Sequence, residues 1–194
     1  MNVRKVKYTD IEGPHNFTRS LRQTGFSIVT DHPISIDLIN KVYKEWDIFF
    51  NSNHKTLYSF DKKKQDGYFP FGTENAKGSS VKDLKEFFHY YPWGKFPKEL
   101  STSTHELYNE LLDLTSTLLE WINEKTPKQV KEKFSIPLPD MIKGSNANLL
   151  RVIHYPPILD SDKKEAIRAA AHEDINLITV LIAGTEPGLQ VKDI

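Results

Sequence analysis

The stretch AHEDINLITVLIAG, residues 171–184, decides the fold of this 194-residue chain. It begins with the triplet His172-Glu173-Asp174 and continues as an apolar run with two polar interruptions, which predicts a β-strand. Side chains two apart on an extended backbone point to the same side, so His172 and Asp174 are predicted to converge while Glu173 points away. One imidazole and one carboxylate on one face are two parts of the facial triad that holds non-haem Fe(II). A solvated turn before a strand is the other interpretation of the triplet.

The preceding apolar stretch, residues 148–157 (NLLRVIHYPP), predicts a second strand. On that strand Arg151, Ile153 and Tyr155 share one face, and His154 points to the other. A tyrosine packed in the core and an arginine in a surface ion pair are the ordinary interpretations of these residue types. If the shared face looks into a site, Arg151, Ile153 and Tyr155 become candidates for ligand binding.

The rest of the chain divides into a helical first half and a β-rich second half, which predicts an α+β protein. Apolar residues at helical spacing predict helices over residues 14–24, 35–50 and from Ser103 to about Ile122. The same reasoning predicts strands over residues 26–30, 83–91 and 188–194, and a loop over residues 67–80.

Composition excludes several classes of protein. The 26 basic and 26 acidic residues balance, whereas nucleic-acid-binding proteins usually have a basic excess. The chain has no cysteine, which excludes disulfides, thiolate zinc sites and a cysteine nucleophile. We find no apolar run long enough to span a bilayer, and the N-terminus lacks the apolar core of a signal peptide. These features predict a cytoplasmic protein that binds neither nucleic acid nor membrane.

Several segments in order resemble the iron(II)/2-oxoglutarate-dependent dioxygenase family of the isopenicillin N synthase type. Each segment is similar to one of the family's motifs, with Pro33 where glycine is usual in the first. The segments are LRQTGFSIVTDHPIS (21–35), GYFPFGTE (67–74), DLKEFFHY (83–90), NLLRVIHYPP (148–157), AHEDINLITVLIAG (171–184) and PGLQV (187–191).

The resemblance implies a double-stranded β-helix core of the jelly-roll or cupin-like kind, preceded by a helical N-terminal region. It places the N-terminal α/β region at residues 1–130 and the first part of the oxygenase core at residues 131–194, within one integrated domain.

The resemblance also implies the chemistry. His172 and Asp174 are expected to ligate Fe(II), Tyr155 to line the 2-oxoglutarate pocket, and Arg151 and Ile153 to face the substrate. Fe(II) is the implied cofactor, and 2-oxoglutarate and molecular oxygen are the implied co-substrates. The expected reaction is hydroxylation, desaturation or cyclisation of a small organic substrate, with succinate and carbon dioxide as co-products.

One family feature is missing from the sequence. The third iron ligand is a second histidine further along the chain, followed by an Arg-x-Ser that binds 2-oxoglutarate, and no histidine follows His172 before Ile194. The expected core is therefore C-terminally incomplete. Three interpretations stay open: a fragment of a longer oxygenase, a chain completed by a partner or by domain swapping, and a shortened inactive relative that acts as an interaction module.

Overall fold

The computed structural model describes residues 3–73, 83–157 and 168–191. It contains two small sheets and several helices, so the predicted α+β class is confirmed. The chain divides into a first unit of residues 1–35, 109–145 and 178–194 and a second unit of residues 36–108 and 146–177. In the described ranges, no helix combines the length and apolar character that a membrane crossing requires.

The first unit begins with two short strands that flank a helix. Strand β1 (Lys5–Lys7) pairs in parallel with β2 (Ile28–Thr30), and helix α1 (Gly13–Thr24) lies between them in the chain. Pro14 occupies the first turn of α1, where its missing N–H has no helical partner to lose. The helix ends at Gly25, whose φ of 74° is the left-handed conformation that glycine adopts without strain. The predicted helix over residues 14–24 and its glycine stop are confirmed.

A longer helix packs against α1 in the first unit. Helix α3 (Ser103–Lys125) begins near the predicted residue, and its part from residue 109 belongs to the first unit. Trp121 lies against Phe17 of α1, with ring centroids 5.7 Å apart, and against Tyr8, at 5.5 Å. A short helix α4 (Lys128–Lys131) and a 3-10 turn (Leu138–Met141) follow.

The second unit is built on a three-stranded antiparallel sheet. Its strands are β3 (Gly67–Phe69), β4 (Glu86–Tyr90) and β5 (Leu150–His154), with β4 in the centre. Helix α2 (Ile36–Phe50) and a 3-10 helix (Asn53–Tyr58) precede the sheet in the chain. The predicted helix over residues 35–50 and the predicted strands over residues 83–91 and 148–157 are confirmed.

The core of this unit is aromatic. Trp46 of α2 is 1% exposed. Its ring centroid lies 4.9 Å from that of Phe88 in β4, and the ring centroid of Phe49 lies 5.8 Å from the same ring. The indole N–H of Trp46 donates to the hydroxyl of Thr104 at 3.0 Å, so its polar atom is satisfied inside the core. Helix α2 is thereby fixed on one face of the sheet.

The loop predicted over residues 67–80 is wrong at its start, because Gly67–Phe69 forms the buried strand β3. Glycine was interpreted there as a loop signal, but Gly67 serves a close approach of two backbones. It has a φ of +101°, and a Cβ there would lie 2.5 Å from the carbonyl oxygen of Tyr58. Residues 74–80 of that prediction lie outside the described residues.

The strands predicted over residues 171–184 and from residue 188 onward are wrong in the described stretch 168–191, which contains neither helix nor strand. Residues 192–194 of the second prediction lie outside the described residues. An apolar run becomes a strand only when a neighbouring strand satisfies its backbone and covers its side chains. Ile175 is fully exposed and Leu181 is 64% exposed, so their side chains lack that cover. The described residues accordingly form two small sheets and no double-stranded β-helix.

Candidate functional site

Strand β5 presents alternate side chains to the two sides of the sheet. Arg151, Ile153 and Tyr155 are exposed, whereas Val152 and His154 are partly covered. This alternation agrees with the predicted strand parity. The three candidate ligand-binding residues therefore share the exposed face of strand β5.

The guanidinium of Arg151 is held in place by two neighbours on that face. Its Nε–H donates to Nε2 of His89 at 2.9 Å, and its plane lies over the ring of Phe87 at 4.7 Å. His89 Nδ1 lies 2.8 Å from the carbonyl oxygen of Gln65, which accepts its proton and leaves Nε2 as the acceptor for arginine. Phe87 itself stacks on Phe69 at 4.5 Å. Arg151 is thus a cation positioned by the fold.

The opposite face of the sheet contains a buried cluster of ionisable side chains around Glu86. The Glu86 carboxylate is 5% exposed and accepts from Lys55 Nζ at 2.9 Å, from His154 Nδ1 at 2.8 Å and from the Tyr68 hydroxyl. Lys55 also donates to the carbonyl of Phe50 at 2.6 Å. The buried carboxylate therefore accepts hydrogen bonds from three side chains, one of them the lysine, as a buried charge requires.

These contacts set the ionisation of the cluster. Burial alone would raise the pKa of Glu86, but the hydrogen bonds from Lys55, Tyr68 and His154 outweigh it and hold the pKa below its usual value. Burial, together with the hydrogen bond to Glu86, raises the pKa of Tyr68 well above that of a free tyrosine. Glu86 is accordingly ionised and Tyr68 neutral near pH 7.

The depressed pKa of Glu86 predicts a loss of stability in acid. A carboxylate whose pKa is lower in the folded state contributes stability above its unfolded pKa of about 4.3, and this is lost as the pH falls through the folded value. We expect the free energy of urea unfolding to fall over that range, and to fall less steeply in Glu86→Gln. The exposed Glu124→Gln should keep the parent slope. Equal slopes in Glu86→Gln and the parent would contradict the assignment.

His172 and Asp174 are brought together in the loop that follows. Nε2 of His172 lies 3.6 Å from Oδ1 of Asp174, and both side chains are about half exposed. His172 Nδ1 lies 2.8 Å from the carbonyl oxygen of Ala170, which accepts its proton. Nε2 then faces the carboxylate of Asp174, and a histidine whose Nδ1 is bound to a carbonyl oxygen is oriented to ligate a metal through Nε2. The two donors predicted to converge do so, although on irregular backbone.

The start of this loop is attached to the sheet. The backbone N–H of Ala170 donates to Oδ1 of Asp83 at 3.2 Å, and Oδ2 of Asp83 accepts from Lys85 Nζ at 3.0 Å. Both charged side chains are buried, at 4% and 6% exposure. Arg168 also donates to the carbonyl of Pro156, at 3.4 Å.

Two groups of buried charged residues were therefore missed from the sequence. Asp83, Lys85 and Glu86 stand in DLKEFFHYY, where charges precede an aromatic strand. Charges at the start of an otherwise apolar strand were a signal that could have been followed, because buried charges need partners. The sequence around Lys55 contains no such signal.

The residues present fit a metal ion as two of its ligands. The imidazole–carboxylate pair has the donor types that non-haem Fe(II) takes, and Nδ1 of the histidine is bound to a carbonyl oxygen, which directs Nε2 toward the aspartate. Among the described residues, no three histidine or acidic side chains come together as a metal-binding group. The pair at residues 172 and 174 therefore offers a partial ligand set.

Comparison with known proteins gives concordant matches. The family model for the N-terminal part of the non-haem dioxygenases in morphine synthesis matches residues 15–113. A proline hydroxylase from Petromyces alliaceus is 26% identical over 223 positions, which cover 100% of this chain and 68% of that protein.

Two solved structures extend the comparison. A Shewanella oneidensis protein assigned as an oxygenase has a TM-score of 0.80 and 46% identity, over 91% of this chain and 64% of that one. A Caulobacter crescentus protein assigned to the 2OG-Fe(II) oxygenase family has a TM-score of 0.62 and 26% identity, over 84% of this chain and 59% of that one. The chain thus spans less than two thirds of the length of each solved relative.

Proposed function

The chain belongs to the family of non-haem dioxygenases, which depend on Fe(II) and 2-oxoglutarate, and from this membership we propose that it forms part of an oxygenase acting on a small organic molecule. Molecular oxygen and 2-oxoglutarate are consumed with the substrate. The products are the hydroxylated, desaturated or cyclised substrate, succinate and carbon dioxide.

One observation carries the proposal for this chain. His172 and Asp174 converge to 3.6 Å, and the proton on Nδ1 of His172 is engaged by the carbonyl of Ala170. This leaves Nε2 and the carboxylate as the two donors for Fe(II). Bound Fe(II) and 2-oxoglutarate supply the redox chemistry, and the protein supplies position and surroundings.

The open face of β5 is proposed to line the co-substrate and substrate sites. Tyr155 offers a hydroxyl for 2-oxoglutarate, and Arg151 and Ile153 offer a cation and an apolar surface for the substrate. Supporting this, His89 and Phe87 hold the guanidinium of Arg151 in one orientation, so it binds a ligand without first losing much side-chain freedom.

We extend the proposal to the architecture. From the family membership we propose that residues 131–194 form the start of a double-stranded β-helix core, after an N-terminal region of residues 1–130. The apolar residues that remain exposed between positions 175 and 191 support this, since strands of such a core have apolar faces to cover.

The test of the proposal is an anaerobic titration of the protein with Fe(II) and then 2-oxoglutarate. The expected result is a visible metal-to-ligand charge-transfer band that saturates at one equivalent of Fe(II). A folded protein that shows neither Fe(II) uptake nor the band would contradict the proposed site.

The role of Tyr155 leads to a separate prediction. Removing its hydroxyl in Tyr155→Phe should weaken 2-oxoglutarate binding by about tenfold, the effect of one hydrogen bond to a charged group. Fe(II) affinity should not change, because the tyrosine is not proposed as a ligand. The measurement is the 2-oxoglutarate dependence of the charge-transfer band, with Tyr8→Phe as a control that should match the parent. Equal 2-oxoglutarate affinities for Tyr155→Phe and the parent would exclude the role.

A further inference from the structure

Asp83 and Lys85 form a buried ion pair that stability alone does not explain. Their side chains are 3.0 Å apart and almost fully buried. Taking two charges out of water costs several kcal/mol, and a buried pair is often no more stable than apolar residues of the same size. Asp83 or Lys85 is therefore expected to have a role other than stabilising the fold.

The two carboxylate oxygens of Asp83 bind different groups. Oδ2 accepts from Lys85, whereas Oδ1 accepts from the backbone N–H of Ala170, 87 positions further along the chain. Lys85 thus orients the carboxylate of Asp83, and Asp83 fixes the backbone of a loop that has no helix or strand of its own over residues 168–191.

Ala170 continues the connection to His172. The N–H of Ala170 is bound by Asp83, and its carbonyl accepts the proton on Nδ1 of His172 at 2.8 Å. The acceptor on Nδ1 determines the tautomer of a ligating histidine and the direction of its ring. A shift of Ala170 would therefore move the imidazole of His172 and leave its Nδ1 proton without this acceptor. Asp83 would affect His172 in this way without contacting it.

We propose that Asp83 is a positioning residue, which fixes Ala170 so that the carbonyl of Ala170 holds His172 in the orientation and tautomer that leave Nε2 available as a ligand. This inference rests on the proposed function for its consequence in metal binding. The geometry of His172 can be tested without metal.

The experiment compares two matched double variants of the full chain. D83N/K85M keeps a side-chain oxygen for the N–H of Ala170, D83A/K85M removes it, and both variants lack the Asp83–Lys85 ion pair. The first readout is hydrogen exchange of the Ala170 amide and the ¹⁵N shifts of the His172 ring, both without metal. The second readout is Fe(II) affinity.

The expected result is a difference between the two variants in both readouts. D83N/K85M should keep Ala170 protected and His172 protonated on Nδ1. D83A/K85M should lose both, and should bind Fe(II) about 10–100-fold more weakly, the usual effect of removing a group that orients a ligand. Equal exchange, equal tautomer and equal affinity in the two variants would overturn the inference.

A proline variant reaches the same contact without altering the buried pair. A170P removes the donated N–H, and A169P places the same ring one residue earlier as its control. A170P should show the altered His172 tautomer and weaker Fe(II) binding, and A169P should not. Identical behaviour of the two would count against Asp83 acting through Ala170, and this comparison decides the question if D83A/K85M does not fold.

Failure of this inference is distinguishable from failure of the proposed function. If the parent takes up no Fe(II) but exchange and tautomer still differ between the double variants, Asp83 positions His172 and the metal site is wrong. If the parent binds Fe(II) and the variants do not differ, the metal site stands and the positioning role is overturned.

Discussion

Replacing His172 with alanine is expected to abolish Fe(II) binding at this site. Removing a group that merely orients a metal ligand costs roughly 10–100-fold in affinity, so removing the ligand should cost at least about 100-fold. His172 is half exposed and lies outside any helix or strand, so the substitution should leave the fold unchanged. The measurement is Fe(II) uptake under anaerobic conditions, together with the charge-transfer band after addition of 2-oxoglutarate.

The matched control for this variant is His15→Ala. His15 is an exposed residue of helix α1 and is not among the proposed ligands, so its loss should not change Fe(II) uptake. Asp174→Asn should resemble His172→Ala, because a neutral amide is a much poorer ligand for a hard cation than a carboxylate. Stoichiometric Fe(II) retained in His172→Ala would remove the basis of the metal assignment.

Replacing Lys55 with methionine is expected to destabilise the protein by about 3 kcal/mol near neutral pH. Breaking a buried ion pair by removing one partner costs roughly 3–5 kcal/mol, since the remaining charge is left uncompensated. We expect the lower end because the Lys55 side chain is 25% exposed, whereas that of Glu86 is 5% exposed. The measurement is the free energy of unfolding in urea, read from tryptophan fluorescence and from circular dichroism.

The double variant Lys55→Met with Glu86→Gln is the control. Glutamine removes the unpaired charge but keeps an oxygen that accepts from Tyr68 or His154, so the double variant should recover part of the loss. Lys44→Met, a surface lysine on α2, should have little effect. A double variant less stable than Lys55→Met alone would show that the charge on Glu86 is not the source of the destabilisation.

The local part of the fold was predictable from the sequence. Helix α1 and its stop at Gly25 follow from the chemistry of adjacent residues, and the stripe containing Trp46 in α2 follows from helical spacing. The face shared by Arg151, Ile153 and Tyr155 follows from strand parity alone. In each case the determining residues are neighbours in the chain.

The rest depended on contacts between distant residues. Lys55 meets Glu86 across 31 positions, and Asp83 meets Ala170 across 87, so neither pair has a local signal. Gly67 was misinterpreted because its close approach to Tyr58 arises only when strand β3 is in place. The apolar stretch after Asp174 was predicted as a strand because its composition suits one, but composition does not supply the neighbouring strand it needs.

The exposed residues of the stretch 168–191 also affect how stability varies with temperature. The heat capacity increase on unfolding grows with the apolar surface that becomes newly hydrated. Ile175, Leu181 and Leu189 are already in contact with water in the folded protein, so they add little to that increase. The curvature of the stability profile with temperature is therefore set by the buried residues of the two units, and we expect it to be shallower than that of a fully packed chain of this length.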